Sequence, residues 1–149
     1  MTILALDPGT TETAFVLWDG RRIIDADHLP NAEIRQILIG REYDAVACEM
    51  IASYGMAVGA STFETCVWIG RFIEVARVDV ELIFRKDIKL FLCGTMRAKD
   101  ANIRQALLDL IGPQGTKKTP GPTYGIKSHT WAALAVAVYA AQNKKENRK

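Results

Sequence analysis

The chain opens with the apolar run Ile3-Leu4-Ala5-Leu6, which ends on the carboxylate of Asp7. An unbroken run of this kind is typical of a strand that is buried on both faces. Similar runs bounded by turn residues predict further strands, and Asp19-Gly20 predicts a tight hairpin turn between two of them. The predicted strands are 2–7, 12–18, 21–27, 43–49 and 78–84.

Most of the remaining apolar residues recur at helical spacing, as at Phe63, Val67 and Phe72. Asn31 is predicted to cap the first helix, and the glycines and prolines in 50–60 and 112–125 predict loops. The predicted helices are 31–42, 61–77, 86–92, 99–111 and 127–142. Three antiparallel strands, followed by strands that alternate with helices, predict an α/β domain with a mixed five-stranded sheet and helices on both faces.

Length and composition predict one domain. The 149 residues, 49% of them hydrophobic, can close a single core, so we expect a domain over 1–142 and a basic tail over 143–149. Three cysteines without CxxC spacing, Cys48, Cys66 and Cys93, indicate reduced, buried thiols. No signal peptide is recognised and no apolar run approaches the roughly 20 residues of a membrane span, so a cytoplasmic protein without membrane contact is expected.

The net charge of +2 conceals an uneven distribution. Residues 1–111 carry 12 Lys and Arg against 16 Asp and Glu, whereas residues 112–149 carry 7 against the single Glu146. A second basic stretch lies between Arg85 and Arg104. These stretches predict a surface that binds a polyanion, and the alternative is ordinary solvated charge with a basic tail.

Two carboxylates, Asp7 and Glu49, each close an apolar strand. If those strands are parallel neighbours, the two side chains meet at one sheet edge, where a divalent cation would allow both to ionise. The alternative is that Asp7 anchors the turn at Pro8-Gly9-Thr10 and that Glu49 lies on the surface.

His129 lies in the first turn of the last predicted helix, where small residues such as Ala132 and Ala133 would let the helix pack closely on the sheet. A neutral imidazole in this position could bind a metal or relay a proton. A structural histidine is the alternative.

Four segments in order resemble the RuvC-type Holliday junction resolvases of the RNase H-like nuclease superfamily. LALDPGTTETAFVLWDG is similar to the first strand and hairpin of that family, and AVACEM to its strand with a catalytic glutamate. KDIKLFLCGTMRAKDANIRQAL resembles its basic segment, and SHTWAALAVAVYAA its closing helix. GTKKTPGPTYG is most similar to resolvase-type proteins encoded by bacteriophages, which would place the chain in the cytoplasm of a bacterial host.

The resemblance implies catalytic and metal-binding roles for Asp7, Glu49 and His129, the last at a position that accepts histidine or aspartate. It implies two Mg²⁺ ions, for which Mn²⁺ would substitute, bridged by Asp7, and hydrolysis that leaves 5′-phosphate ends. The second acidic position of the last helix is Ala132 here, a departure from the family. Asp100 could replace the missing carboxylate, although a helix cap is the favoured interpretation of this residue.

The resemblance also implies the partners. Branched DNA, such as a four-way junction, would contact Tyr54 by stacking and a set of lysines through its phosphates. The predicted DNA-binding lysines are Lys89, Lys99, Lys117, Lys118 and Lys127. Two symmetric cuts imply a homodimer, packed through the helix with Phe63, Trp68 and Phe72, unless that helix is all core. The alternative for Tyr54 is packing on its own domain.

The predicted function is therefore a metal-dependent, structure-selective endodeoxyribonuclease that resolves Holliday junctions or other branched DNA. Two other classes stay open. One is a relative that binds branched DNA without cutting it, which the absence of a carboxylate at Ala132 favours. The other is an actin-like or phosphate-binding member of the wider fold, because Asp7-Pro8-Gly9-Thr10-Thr11 resembles a phosphate loop; the short chain argues against it.

Overall fold

The computed structural model describes all residues from Met1 to Lys149. A five-stranded sheet has the spatial order β3-β2-β1-β4-β5, and five helices cover its two faces. The strands are β1 (Ile3–Asp7), β2 (Glu12–Trp18), β3 (Ile23–Pro30), β4 (Ala45–Met50) and β5 (Val80–Phe84). The helices are α1 (Asn31–Gly40), α2 (Ala60–Val75), α3 (Arg85–Cys93), α4 (Asp100–Ile111) and α5 (His129–Glu146).

The first three strands form the predicted antiparallel meander, and β1, β4 and β5 run parallel to one another. Leu6 pairs with Cys48, so the next residues along each strand, Asp7 and Glu49, reach the same edge of the sheet. The α/β class, the mixed five-stranded sheet and the parallel pairing of the two strands that carry these carboxylates are confirmed.

Side-chain alternation along β1 explains its unbroken apolar run. Ile3 and Ala5 belong to a core cluster on one face of the sheet, where α3, α4 and α5 pack. Leu4 and Leu6 belong to a second cluster on the other face, beneath α1 and α2. Both faces are therefore covered, and the period of two places Asp7 on the same face as Ala5, under α5.

Helix α5 lies across the centre of the sheet and contacts β1, β2 and β4. Its small residues Ala133, Ala135, Ala137 and Ala140 are fully buried. Because alanine keeps the helix axis close to the strands, the first turn of α5 is held directly above the edge where β1 and β4 end. The predicted close packing of this helix is confirmed.

Two local predictions are wrong. Asn31 does not cap α1; it is the first helical residue, and its buried side chain accepts a hydrogen bond from Thr13 Oγ1 at 2.6 Å and donates one to Gly9 O at 3.0 Å. Helix α5 continues to Glu146 instead of ending at residue 142, because Asn143 bonds Glu81 Oε1 at 3.1 Å and holds the next turn against β5.

Helix α2 divides between core and surface. Phe72 is buried and Trp68 packs against the second core cluster, whereas Phe63 and Val67 are 62% and 55% exposed. Gly70, one turn further along, is also exposed and has open space beside it. The alternative that this helix is all core is therefore wrong, and an apolar face is left on the surface.

The cysteines are free, as predicted, and Cys48 is buried. Cys66 and Cys93 are partly exposed, so the prediction that all three thiols are buried is wrong for these two. None of the helices has the length and apolar character needed to cross a membrane.

Candidate active site

Asp7 and Glu49 form a carboxylate pair at the edge where β1 and β4 end. Their side chains are only 11% and 17% exposed. Burial raises the pKa of Asp7, while a hydrogen bond from Glu49 and the charge of His129 oppose the rise. Burial, with the adjacent charge of Asp7, raises the pKa of Glu49 to about 7. The pair therefore holds a proton under conditions where exposed carboxyl groups are ionised. The alternative interpretation, in which Glu49 lies on the surface, is therefore wrong.

The turn after Asp7 is anchored by other residues. Gly9 N donates to Thr13 Oγ1 at 3.4 Å, and Gly9 O accepts from Asn31 Nδ2. A Cβ at Gly9 would lie 2.5 Å from Glu12 O, so the tight turn requires glycine there. Because Thr13 and Asn31 hold this turn, the Asp7 carboxylate is free to face the cleft, and its predicted alternative role as turn anchor is wrong.

His129 approaches Asp7 from the helical layer. It is the first residue of α5, its side chain is 66% exposed, and its Nδ1 lies 3.1 Å from Asp7 Oδ2. The preceding residue, Ser128, has a φ of 48°, an unusual conformation for a residue with a Cβ. The strained start of α5 thus positions the exposed imidazole of His129 beside the buried carboxylate pair, as the sequence predicted. The imidazole does not lie within the core.

Arg85 is a site residue that the sequence prediction missed. It begins α3, directly after β5, and its Nη1 lies 3.3 Å from Glu49 Oε1. Its Nη2 contacts Asp100 Oδ1. Asp100 therefore joins the site through an ion pair and does not cap α4: the cap position is Lys99, whose N–H donates to Asn102 Oδ1 at 2.9 Å. The basic stretch that starts at Arg85 was the available signal for this residue.

These side chains line one open cleft of about 790 Å³. One wall is α4, including Asp100 and Arg104, and the opposite wall is the start of α5, including Trp131 and Ala132. The Arg104 guanidinium lies 5.4 Å from the centre of the Trp131 ring, a cation–π distance. The cleft therefore combines three carboxylates with two arginines and an imidazole, a lining suited to a charged ligand.

The donors at the floor of the cleft are of the kind that divalent cations bind. A cation between Asp7 and Glu49 would offset the burial that raises the pKa of both carboxyl groups and the charge of Asp7 that further raises the pKa of Glu49. In this structure no three Asp, Glu, His or Cys side chains are arranged to hold a metal ion. Glu49 pairs with Arg85, and Asp7 pairs with His129. The residues fit a divalent cation in chemistry, and they would have to exchange these contacts to hold it.

The predicted DNA-binding lysines lie outside the lining of this cleft. Lys89 is half-buried on α3, and Lys99, Lys117, Lys118 and Lys127 are exposed. Tyr54 is 63% exposed with a φ of 51°, at a turn in the loop after β4. Its ring does not pack into the domain, so the alternative interpretation of this tyrosine is wrong.

Lys117 and Lys118 lie at the tip of an ordered loop between α4 and α5. An isolated bridge pairs Gly115 with Pro120, and Thr123 Oγ1 donates to Gly112 O at 2.9 Å. A Cβ at Gly121 would lie 2.0 Å from Pro113 O, so the loop closes tightly on itself. The two lysines are thus presented at the tip of a loop that is closed by its own contacts.

A second histidine borders the site and was also missed. His28 pairs with Ala14 across β2 and β3, which places it on the α5 face. Its ring centre lies 5.2 Å from that of His129, and its Nε2 lies 3.8 Å from Glu12 Oε2. His28 therefore supports one side of the His129 ring.

Comparison with known proteins gave one kind of match. No family model matches the chain, and no curated protein matches it. Among solved structures, Thermus thermophilus RuvC in complex with a Holliday junction substrate is similar over 99% of this chain and 96% of that chain, with a TM-score of 0.75 and 17% identity. A second Thermus thermophilus RuvC structure is similar over 98% and 97%, with a TM-score of 0.71 and 19% identity. The chain therefore has the RNase H-like fold of RuvC.

Proposed function

We propose that this protein is a metal-dependent endodeoxyribonuclease that resolves Holliday junctions or other branched DNA by paired cuts. The observation that carries the proposal is the convergence of Asp7, Glu49 and His129, from three separate elements, at one edge of the sheet. The solved structure with the same fold over the whole chain is a RuvC bound to a Holliday junction substrate. The open cleft and the basic stretches support a polyanionic substrate.

Asp7, Glu49 and His129 are proposed to hold Mg²⁺, or Mn²⁺ in its place, as two ions. Divalent cations supply activation of the attacking water and stabilisation of the leaving oxygen. Burial of Asp7 and Glu49 excludes competing water, and before a cation binds Asp7 holds the His129 ring beside it through Nδ1. Asp100 lines the same cleft, and its carboxylate is proposed to replace the one that is absent at Ala132.

DNA is proposed to extend from the cleft over the exposed lysines, while the Tyr54 ring stacks on an unpaired base near the branch point. A second copy of the chain would supply the second cut. The exposed apolar face of α2, with Phe63 and Val67, supports a homodimer contact there, because neighbouring exposed apolar side chains mark protein–protein contacts.

A second candidate is a protein that binds branched DNA without cutting it. It is favoured because Glu49 is paired with Arg85 and Asp7 with His129. It is also favoured because Ala132 contributes a methyl group to the cleft in place of a carboxylate.

Incubation of a synthetic four-way junction with the wild-type protein in Mg²⁺ or Mn²⁺ separates the two candidates. Symmetric cuts with 5′-phosphate ends are expected. Asp7→Asn should abolish them and leave junction binding in metal-free buffer largely intact, whereas Asp79→Asn, at an exposed aspartate before β5, should cut normally. Binding without cutting by the wild type would favour the second candidate.

A further inference from the structure

Arg85 is placed at the carboxylate pair by the topology of the sheet. β5 pairs in parallel with β4, and its last residue, Phe84, lies opposite Met50. The next residue, Arg85, begins α3 beside Glu49. The pairing of β5 with β4 therefore fixes the position of a cation at this edge of the sheet.

The guanidinium has donors to spare. Of its five N–H groups, two are used in contacts: Nη1 contacts Glu49 and Nη2 contacts Asp100. The side chain is 32% exposed and lines the cleft. A planar group with free donors at the floor of an open cleft can bind an anionic oxygen without leaving its place.

Both present contacts of Arg85 are of a kind that a stronger anion can displace. The 3.3 Å separation from Glu49 Oε1 is longer than that of a tight charge-assisted hydrogen bond. The Asp100 side chain is 91% exposed, and ion pairs with such exposed groups contribute little because water competes for them. A phosphodiester, which matches the guanidinium fork, can therefore take the place of Asp100.

The other cation of the cleft is engaged elsewhere. Arg104 lies over the ring of Trp131. On the α5 wall, position 132 carries only a methyl group, so no further carboxylate competes for Arg85. Arg85 is thus the arginine in direct contact with the carboxylate pair.

We propose that Arg85 is a further catalytic residue, which exchanges Asp100 for a non-bridging oxygen of the scissile phosphate and stabilises the charge on that phosphate in the transition state. The water oxygen bonds to phosphorus and gives up a proton to bulk water as the bond from phosphorus to the 3′ oxygen breaks. The 3′ oxygen leaves with the bonding electron pair and takes a proton from bulk water, and Arg85 keeps its protons throughout. Because a scissile phosphate is present only if the chain cuts DNA, this role rests on the proposed function.

Single-turnover cleavage of a four-way junction, with protein in excess and Mg²⁺ present, tests this role. Arg85→Ala is expected to lower the rate at saturation by about 10²- to 10³-fold, the effect of removing one charge-stabilising donor. Arg85→Lys keeps the charge but loses the planar fork, so a loss of about tenfold is expected. Arg35→Ala, at an exposed arginine on α1, should stay within about twofold.

Junction binding in metal-free buffer is the readout that separates catalysis from affinity. The Kd of Arg85→Ala should change by less than about threefold, because one phosphate contact among many is lost. Arg85→Lys retains a cation beside Glu49, so it reports on the role even if Arg85→Ala fails to fold.

Two results would overturn the role of Arg85. One is wild-type cleavage by folded Arg85→Lys or Arg85→Ala, and the other is a loss that disappears when the protein saturates the junction. If the wild type cuts and these variants cut equally well, only Arg85 is wrongly assigned; if the wild type cuts no junction, the proposed function fails and this role with it.

Discussion

His129 Nδ1 lies 3.1 Å from Asp7 Oδ2 although 122 residues separate the two along the chain. Asp7 is carried to the sheet edge by β1, and His129 is carried there by the first turn of α5. Because Asp7 is almost buried while His129 is 66% exposed, the pair joins the floor of the cleft to its solvent side. The His129 imidazole is therefore the solvent-accessible partner of the buried Asp7 carboxylate.

Removal of the imidazole should impair cleavage more than binding. His129→Ala takes away the partner of Asp7, and we expect the cleavage rate to fall by about 10²-fold or more, as for a group acting at the reacting centre. Junction cleavage under single-turnover conditions measures this. His28→Ala removes a ring that touches His129 but not Asp7, so a loss below about tenfold is expected. Equal losses in the two variants would contradict a direct role for His129.

The stability of the metal-free protein should fall as the pH rises from about 5 to 8. The pKa of Glu49 is about 7 when folded against an ordinary value of 4.5, so between these values the folded state binds more protons than the unfolded state. By linkage, a shift of this size removes up to about 3 kcal/mol of stability over that range. The free energy of unfolding of wild type and Glu49→Gln, measured in chelator across the pH range, gives this contribution as their difference.

Glu33→Gln, at an exposed glutamate of α1, is the matched control and should keep the wild-type profile. Parallel profiles for Glu49→Gln and the wild type would show that the pKa of Glu49 is not raised in the folded protein. Addition of Mg²⁺ at pH 8 should then stabilise the wild type more than Glu49→Gln, since a ligand that binds the folded state raises its stability.

The convergence of Asp7 and Glu49 could be predicted because it needs only strand periodicity. Two apolar strands that end on carboxylates, if parallel neighbours, place those carboxylates together, and the pairing of Leu6 with Cys48 confirms it. The close approach of α5 could likewise be predicted from its alanines, because small side chains allow a helix to pack close to the sheet.

Arg85, His28 and Asp100 could not be placed in the same way. The position of His28 depends on a register shift at Leu17 and Trp18 and on a hairpin connection over Asp19 to Arg22. A shift of one residue would send the His28 ring to the opposite face. The sequence favours Asp100 as a helix cap, but it is the first residue of α4, and its place in the site comes from a tertiary contact with Arg85 that the local pattern does not contain.

Tyr54 should contribute to catalysis on branched DNA without contributing to folding. Its ring is exposed at a turn, so Tyr54→Ala removes no core contact and the melting temperature should stay unchanged. Loss of a stacked base is worth about 1–3 kcal/mol, so junction cleavage should slow by about 5- to 150-fold. Tyr54→Phe keeps the stacking surface and should be close to wild type. Wild-type cleavage by Tyr54→Ala would exclude the stacking role.

The apolar face of α2 should control the oligomeric state. Phe63→Glu introduces a charge into the exposed face that also contains Val67, and we expect a shift from dimer to monomer in sedimentation or light scattering. Ile39→Glu, at a comparably exposed apolar residue of α1, should leave the dimer intact. A wild-type protein that is monomeric at micromolar concentration would contradict the proposed dimer contact.

The closed loop that carries Lys117 and Lys118 should act through contacts to phosphates alone. Lys117→Ala with Lys118→Ala removes two cations, so junction affinity should fall and the slope of log K against log salt should decrease by about two. The single-turnover rate at saturation should stay unchanged, because neither lysine lines the cleft. Lys144→Ala with Lys145→Ala, at the far end of α5, removes the same charge and should alter the slope less. Equal effects of the two double variants would show that net charge, and not the loop, governs binding.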